Sequence, residues 1–298
     1  MALAECNTTV DASGRELIQH GKPAFPIACY EDDFRVMDVP WHWHEEWEAV
    51  LITEGSCLVA AGNRKATLHA GEGFFIHSGV LHGCWDTESS GCRFHSLVFH
   101  PRLVGGSLDS VFHQQFVQPL LDHGQPEMIL LKSDVPWQKQ ALEAIEGAWQ
   151  HCACETEGFP FLVRNELSRL VFLLYSHLSP AEAHISRAQL RNAQRIKTML
   201  SWIHTHFSQE LDMASIAASA SVSESECLRC FRSTVGITPI QYLKQYRLQQ
   251  AARLLTETPH KISDIAVSCG FQDMSYFTRA FREQTGSTPS QYRKNASR

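Results

Sequence analysis

The most constraining feature of the chain is an internal repeat in its last hundred residues. Phe231-Arg232 corresponds to Phe281-Arg282 at an offset of 50 residues, and upstream Ile216-Ala217 corresponds to Ile265-Ala266 at an offset of 49. Three more matched pairs follow at the offset of 50: Gly236 with Gly286, Thr238-Pro239 with Thr288-Pro289, and Gln241-Tyr242 with Gln291-Tyr292. A solenoid needs about three repeats to bury a continuous core. Two copies therefore predict a pair of compact units.

Each copy has the pattern of a helix-turn-helix. In the first copy, Met213–Ser219 is a short Ala-rich helix, and Ser223 with Glu226 has the spacing of a capping box that starts a second helix ending near Gly236. The second copy repeats this order with a helix over Ile262–Ser268, a cap at Asp273 and an end at Gly286. In DNA-binding proteins with this motif, the second helix enters the major groove.

Helical periodicity separates an inward from an outward face on each second helix. The residues expected to face outward and to bind DNA are Ser225, Leu228, Arg229 and Arg232 in the first copy, and Met274, Ser275, Thr278, Arg279 and Arg282 in the second. Arginine occupies equivalent outward positions in both copies. A guanidinium group can bond guanine bidentately or clamp a phosphate, and both roles remain open for these arginines.

The helix between the two units and the charge of the whole region also indicate DNA binding. Between the two units, Pro239–Thr256 reads as one helix of roughly 27 Å, comparable to the spacing of about 34 Å between successive major grooves. Residues 191–298 carry 14 Lys and Arg against 8 Asp and Glu, whereas residues 1–190 carry 12 against 24. A basic segment on an acidic chain is typical of a nucleic-acid-binding domain joined to another domain.

Residues from about 195 to 294 resemble the AraC/XylS family of bacterial transcription regulators. The residues that carry the resemblance are Ile262-Ser263-Asp264-Ile265-Ala266, Cys269-Gly270-Phe271, Ser275-Tyr276-Phe277, Arg279, Phe281-Arg282, Gly286, Thr288-Pro289 and Gln291-Tyr292-Arg293. The resemblance implies about seven helices, binding to double-stranded promoter DNA, activation of nearby promoters, and RNA polymerase as a partner. Glu224 and Glu226 depart from the family pattern, in which these positions are often basic or polar. Carboxylates near the groove would repel phosphate or accept a hydrogen bond from cytosine N4.

The N-terminal half has a different pattern, with short β-type runs separated by turn residues at nearly even spacing. The runs are Ala49–Thr53, Cys57–Ala61, Ala66–His69, Phe74–His77 and Arg93–Phe99. Such spacing is typical of a small all-β sandwich or barrel.

A histidine-rich motif lies within this β region. If residues 42–48 are extended, His42, His44 and Glu48 share one face, and His82 follows later. This spacing resembles the cupin superfamily, although the usual Gly before the first His is missing and Ser78 and Leu81 stand where prolines are common. The resemblance implies His42, His44, Glu48 and His82 as ligands of Fe, Mn, Ni or Zn. The alternative is that they are polar residues of a metal-free pocket.

The same region is expected to bind a small-molecule effector. Trp43, Phe74 and Trp85 would line an apolar pocket into which the polar residues of the histidine motif project. The predicted effector-binding residues are thus His42, Trp43, His44, Glu48, Phe74, His82 and Trp85.

Residues 106–180 return to a helical pattern, with helices over Trp137–Cys152 and Pro160–Leu178. Apolar residues from Val163 to Leu174 are spaced at intervals of 4, 3 and 4, which resembles a coiled-coil seam. Packing of this helix on the β domain explains the pattern equally well. The family resemblance favours a homodimer formed through this segment.

The predicted fold class is α+β multidomain. The domains are a cupin-like β-barrel or sandwich over residues 1–105, a helical dimerisation segment over 106–180, a linker over 181–192, and an all-α domain with two helix-turn-helix units over 193–298. The chain shows no signal peptide, and no apolar run approaches the roughly 18 residues of a membrane span. A cytoplasmic protein that does not enter the membrane is expected.

The leading functional hypothesis is a transcriptional regulator, most simply an activator and not an enzyme, controlled by a small effector in the cupin-like domain. One alternative is a metal-dependent cupin enzyme, a dioxygenase or isomerase, with an appended helical domain. A second alternative is constitutive DNA binding with a vestigial sensor domain. Metal content, turnover and effector-induced stabilisation would distinguish the three.

Overall fold

The structure is a computed structural model that describes residues 3–4, 10–11, 14–34, 39–62, 64–86, 91–121, 126–178 and 187–296. The chain divides into two compact units, one built mainly from residues 15–193 and the other mainly from residues 194–298. Residues 106–178, expected as a separate helical segment, belong to the same unit as the strands. Among the described residues, no helix is long and apolar enough to cross a membrane.

The first unit is a sandwich of two antiparallel sheets. One sheet has the order β1-β8-β3-β6-β9 and the other the order β2-β7-β4-β5. The strands are β1 Ile27–Asp33, β2 Val39–His42, β3 Trp47–Glu54, β4 Ser56–Ala61, β5 Arg64–His69, β6 Gly73–Ile76, β7 His82–Asp86, β8 Arg93–Phe99 and β9 Met128–Leu131. The fold class predicted for this half of the chain is confirmed.

Side chains point alternately to the two faces of each strand, so each sheet presents an apolar face to the other. Val50, Ile52 and Phe74 from the first sheet contact a core that includes Val59 and Leu68 from the second sheet, and all five are buried. Each fully buried side chain of this size contributes roughly 1.5–3 kcal/mol to folding. The opposite face of the five-stranded sheet is also apolar and requires a cover.

Two long helices provide this cover. α3 Pro136–Cys154 and α4 Phe159–His177 pack against each other and share one core with the sheet. Shorter segments precede them, namely α1 Arg102–Gly105, a π-helical turn at His113–Val117 and α2 Gln118–Leu121. Val163, Leu167, Leu170, Val171 and Leu174 of α4 are all buried in this core. The coiled-coil interpretation of these residues is therefore wrong, because their seam is covered within the chain.

The sequence patterns did not identify β1, β2, β7 or β9. They also predicted one extended segment over residues 42–48 where the structure has the end of β2, a bend and the start of β3. The predicted extension from His42 to Glu48 is interrupted, because β2 ends at His42, the chain bends at residues 45–46, and β3 begins at Trp47. The predicted shared face of His42, His44 and Glu48 thus does not come from a single strand. Their side chains approach one another from two different sheets.

Seven helices lie wholly or mostly in the second unit, within its described residues. They are α5 Arg187–His206, α6 Met213–Ser219, α7 Glu224–Thr234, α8 Pro239–Glu257, α9 Ile262–Ser268, α10 Met274–Thr285 and α11 Pro289–Ala296. Helix α8 contacts α6 and α7 of the first copy of the repeat, and it also contacts α9, α10 and α11 of the second copy. The helix-turn-helix pairs are α6 with α7 and α9 with α10, as the repeat predicts.

The caps of these helices largely match the sequence. The Ser223 hydroxyl accepts from the Glu226 amide at 3.2 Å, and the Asp273 carboxylate accepts from the Tyr276 amide at 2.7 Å. In the turns, Ser221 and Gly270 occupy equivalent positions with φ values of 54° and 81°. A Cβ atom at Gly270 would lie 2.6 Å from the Phe207 carbonyl oxygen, so this position needs glycine.

The predicted linker needs a correction. Residues 187–192 of the expected linker over 181–192 are already helical, because α5 begins at Arg187. Residues 181–186 lie outside the described part of the chain.

Candidate effector site and DNA-binding surface

Four predicted residues meet inside the sandwich. His42 at the end of β2 lies opposite His82 at the start of β7 in the antiparallel register, Glu48 comes from β3, and His44 precedes the bend. One ligand atom from each of the four lies within 4.8 Å of the others. All four residues are between 3 and 8% exposed. We call them the four-residue cluster.

Each histidine of the cluster is oriented by a backbone carbonyl close in sequence. The Nδ1 atoms of His42, His44 and His82 contact the carbonyl oxygens of Pro40, Glu46 and Val80 at 2.9, 3.1 and 2.8 Å. A carbonyl only accepts hydrogen bonds, so each Nδ1 carries a proton, and in the neutral form of each ring the Nε2 atom presents a lone pair. Metal-binding histidines in proteins are oriented in the same way, by a hydrogen bond from the ring nitrogen that does not bind the metal.

The lone pairs converge on the carboxylate of Glu48. Its Oε2 atom lies 2.7 Å from Nε2 of His82 and 3.7 Å from Nε2 of His44. With the Nδ1 protons placed as above, these atoms are all acceptors, and His44 Nε2, His82 Nε2 and Glu48 Oε2 have no satisfied hydrogen bond among the described residues. Buried acceptors facing one another require a cation between them, either a proton or a metal ion. Imidazole and carboxylate ligands suit first-row transition metals.

Burial and neighbouring charges shift the cluster's acid–base properties. Burial lowers the pKa of His42 to about 3, assisted by the nearby His82. Burial alone would raise the pKa of Glu48, but its interactions with the adjacent His44 and His82 hold it well below its usual range. A neutral His42 beside an ionised Glu48 is the protonation state of these two groups that a metal ion needs.

Sequence reasoning missed a second carboxylate beside the cluster. The Glu16 side chain is 6% exposed, and its Oε2 atom lies 3.1 Å from Nε2 of His20 and 3.9 Å from Nε2 of His42. The backbone amide of Glu16 donates to the Trp43 carbonyl at 2.9 Å, which fixes this segment against the end of β2. Residues 14–20 follow no repeat or apolar period, so no sequence signal pointed to them.

The space beside the cluster is small. A cavity of about 30 Å³ is lined by residues that include Glu16, His42, Glu48, Phe74 and His82. A water molecule needs about 10–15 Å³ by this measure, so the cavity accommodates about two. Of the three aromatic residues predicted to line an effector pocket, only Phe74 does so.

The two tryptophans expected in that pocket lie elsewhere. The ring of Trp43 is covered by the Arg15 guanidinium at 5.8 Å, and Arg15 also pairs with Glu45 at 3.0 Å. The ring of Trp85 packs on Trp41 with centroids 5.2 Å apart. Neither tryptophan contributes to the cavity lining described above.

The predicted DNA-binding residues all have accessible positions on α7 and α10. Leu228 and Thr278 are half-buried, and the remaining residues are exposed, namely Ser225, Arg229, Arg232, Met274, Ser275, Arg279 and Arg282. The inward faces are buried as expected, with Cys227, Cys230 and Phe231 on α7 and Phe277, Ala280 and Phe281 on α10. The base or phosphate contacts of the outward residues stay predictions.

The two second helices differ in their charge pairing. On α7, the Glu226 carboxylate contacts Arg229 at 2.5 Å and Arg195 of α5 at 3.0 Å. These contacts replace the reciprocal half of the predicted capping box. On α10, the Arg279 guanidinium lies over the Tyr276 ring at 5.8 Å, and no acidic partner of Arg279 occurs among the described residues. The guanidinium of α10 is therefore more available for a ligand than that of α7.

Comparison with known proteins identifies both units. The profile of the AraC-like ligand binding domain matches residues 24–150, and the profile of a helix-turn-helix domain matches residues 216–295. The chain belongs to the AraC family of transcriptional regulators. The four-residue cluster thus lies in the ligand-binding domain of an AraC-family regulator, and α7 and α10 lie in its helix-turn-helix domain.

Relatives of this AraC-family chain extend over nearly its whole length. The HTH-type transcriptional regulator YdeC of Bacillus subtilis, itself uncharacterized, is 28% identical over 97% of this chain and 98% of its own. The HTH-type transcriptional activator RhaS of Pectobacterium atrosepticum is 26% identical over 86% of this chain and 88% of its own. A solved AraC-type regulator from Chromobacterium violaceum is 26% identical, covering 35% of this chain and 94% of that one with a TM-score of 0.34.

Proposed function

We propose that this AraC-family regulator is a sequence-specific activator of transcription, controlled by a ligand that binds at the four-residue cluster. The observation that carries the proposal is the convergence of four buried ligand atoms in the ligand-binding domain. A buried, unsatisfied set of acceptors is costly to folding, and a bound cation removes this cost. A ligand that prefers one arrangement of the protein can shift it toward that arrangement, and hence alter DNA binding.

The residues we assign to the cluster's ligand are His42, His44, Glu48 and His82. These residues fit a divalent metal ion, because three imidazoles and one carboxylate match the donor set of Fe, Mn, Ni or Zn sites. Such an ion would supply a positive charge at the point where the acceptors meet. Phe74 lines the adjacent cavity and limits its size.

The activator role and the partners of the DNA-binding domain are also part of this proposal. The RhaS relatives are named as activators, which supports the same direction of control in this chain. An activator must contact RNA polymerase or help to recruit it, so we include RNA polymerase as a partner. The proposed location is the cytoplasm, where the promoter DNA of a bacterial regulator lies.

The alternative of a metal-dependent dioxygenase or isomerase is less consistent with the site. An enzyme of this class has to hold an organic substrate beside its metal ion, and sites for such molecules occupy about 300–1,000 Å³. The cavity beside the cluster is about 30 Å³. The relatives that extend over both units are regulators, which gives the same preference.

We also propose that the regulator is a homodimer that pairs through the exposed face of α4 rather than through the buried seam. Phe161 and Phe172 are 80% and 55% exposed on this helix, and Phe112 of the preceding segment is 55% exposed. A groove of about 450 Å³ runs between these residues. A protruding aromatic residue beside an apolar groove suits a two-fold interface, in which each copy inserts the residue into the groove of the other.

Selection of genomic DNA fragments by the full-length protein tests the proposed sequence specificity. A selected fragment should then bind the Arg279→Ala variant about 1–3 kcal/mol more weakly if Arg279 contacts a base. Arg253→Ala is a matched control, because Arg253 lies on α8 and pairs with Glu257 at 3.9 Å. Equal weakening on all DNA sequences would instead identify a phosphate contact, and failure to enrich any fragment would contradict the proposed function.

A further inference from the structure

The cavity beside the four-residue cluster has a strongly acidic lining. Glu16, Glu48 and the buried Asp32 all line it. Among the described lining residues there is no Lys or Arg. An anionic organic effector, such as a carboxylic acid or a phosphorylated metabolite, would therefore meet three carboxylates and no Lys or Arg among the described lining residues. Buried carboxylates favour a cation instead.

The contacts of Glu16 require no compensating charge from the protein. The hydroxyl of Tyr30 lies 2.8 Å from Nδ1 of His20, and Nε2 of His20 lies 3.1 Å from Glu16. A neutral His20 satisfies both contacts by accepting from the Tyr30 hydroxyl and donating to the Glu16 carboxylate. The negative charge of Glu16 thus remains available to a cation next to His42.

The small volume of the cavity also favours a cation over an organic effector. Sugars and other organic effectors need pockets roughly ten times larger than this cavity of about 30 Å³. A metal ion held by the four-residue cluster needs no such pocket, and the cavity beside it has room for about two water molecules.

The distances within the site also suit one ion. Protein ligands lie about 2.0–2.2 Å from a transition metal, so two ligands of one ion are separated by at most about 4.4 Å. The separations of Glu48 from His44 and of Glu16 from His42 are 3.7 and 3.9 Å. The contact of 2.7 Å between Glu48 and His82 has to lengthen by a few tenths of an ångström when an ion enters.

We propose that a divalent transition-metal ion is itself the effector of this regulator, and that Glu16 is a specificity-determining residue that supplies a second carboxylate for the ion. The inference rests on the proposed function, because it names the ligand of the same site. Glu16 acts either on the ion or on a water molecule bound to it, and in both cases it favours a divalent cation. His20 and Tyr30 are positioning residues that hold the Glu16 carboxylate in place.

Metal titration of the full-length protein tests the inference. After treatment with a chelator, the protein is titrated with Ni²⁺, Zn²⁺ or Mn²⁺ alone by calorimetry, and metal content is measured after dialysis. We expect one ion per chain for at least one of these metals and a raised melting temperature. Glu48→Gln should abolish binding, and Glu16→Gln should weaken it about 10–100-fold, the usual effect of removing a supporting carboxylate.

Matched variants separate a role in binding from a general loss of stability. Glu45→Gln removes an exposed carboxylate of the neighbouring bend and should bind the ion like the wild type. Tyr30→Phe leaves the charge of Glu16 in place but removes the support of His20, so it should weaken binding less than Glu16→Gln does. Glu16→Asp should restore part of the lost affinity. Wild-type affinity in Glu16→Gln would overturn the assigned role of Glu16.

DNA binding distinguishes failure of this inference from failure of the proposed function. With a selected DNA fragment, the apparent affinity of the wild type should change on adding the ion and reverse with chelator, whereas Glu48→Gln should not respond. A protein that binds the fragment specifically but takes up none of the three ions would overturn the inference and leave the regulator intact. A protein that selects no DNA with or without an ion would contradict the proposed function itself.

Discussion

His77 is buried in the first unit beside Phe75 and Trp47, with ring centroids 5.1 and 6.3 Å away. Burial lowers the pKa of His77 from about 6.5 to about 4, because the apolar surroundings disfavour the charged imidazole. The unfolded chain therefore binds a proton at a higher pH than the folded protein does. The contribution of His77 to stability is complete above pH 6.5 and is lost progressively as the pH falls toward 4.

This shift predicts a pH-dependent loss of stability. Between pH 6.5 and 4, titration of His77 should lower the free energy of unfolding by about 3 kcal/mol, and His77→Phe should remove that part of the pH dependence. Urea unfolding followed by tryptophan fluorescence measures the effect, since six of the seven tryptophans lie in the first unit. His69→Phe is the control, because His69 is exposed. An unchanged pH dependence in His77→Phe would rule out this explanation.

At the scale of single residues, sequence patterns identified only part of the site. The spacing of His42, His44, Glu48 and His82 was sufficient to predict that they meet. Glu16 and His20 could not be predicted, because they reach the site through an irregular segment whose position depends on a hydrogen bond to Trp43. Aromatic content alone misplaced Trp43 and Trp85, since an aromatic residue packs equally well on a neighbouring ring or cation.

At the scale of helices and strands, the clearest contrast is between α7 and α10. The repeat predicts equivalent helices, yet Glu226 of α7 pairs with Arg229 and with Arg195 of α5. Among the described residues, Arg279 of α10 has only the Tyr276 ring as a charge-related partner. Hydrogen bonding to Arg229 lowers the pKa of Glu226, so the carboxylate stays ionised. The pair reduces the positive charge that α7 can offer to DNA.

Glu226→Gln should therefore strengthen DNA binding in a sequence-independent way. Releasing Arg229 adds about one phosphate contact, which should steepen the dependence of log affinity on log salt by about 1. Binding to random duplex DNA at several salt concentrations measures the slope. Glu224→Gln removes an equal charge from the same helix, so a larger effect of Glu226→Gln would identify the release of Arg229. Identical slopes for the two variants would show that Arg229 does not contact phosphate.

Elements with a strong period or clear flanking signals were predictable, and some strands without them were not. Helices α8 and α10 follow from apolar spacing and caps that lie within the helix itself. Strands β2 and β9 have four residues each, too few for alternation to be recognised, and β2 includes a histidine of the site. The apolar stripe of α4 predicted a buried face but not which surface covers it. Packing on another helix of the same chain and packing on a second copy of the chain both require the same stripe.

At the scale of the whole molecule, the exposed aromatic face of α4 predicts the oligomeric state. Phe161→Asp and Phe172→Asp should each convert the proposed dimer to a monomer, because a carboxylate cannot be buried in an apolar interface without a partner. Sedimentation velocity measures the state, and circular dichroism checks that each variant is folded. Val267→Asp is a control, since Val267 is 64% exposed on α9 in the other unit. A wild-type protein that sediments as a monomer at micromolar concentration would contradict the proposed interface.

The contacts of α8 with both helix-turn-helix units restrict the DNA that this protein can use. One continuous helix of 19 residues joins the two units, without a hinge between them. The operator must then present its two recognition segments at a fixed separation and on a fixed side of the duplex. Insertion of half a helical turn would rotate one segment out of phase, and the continuous helix α8 offers no break at which the two copies could turn to follow it. Spacing between the segments is thus part of the operator code, even at base pairs that no side chain touches.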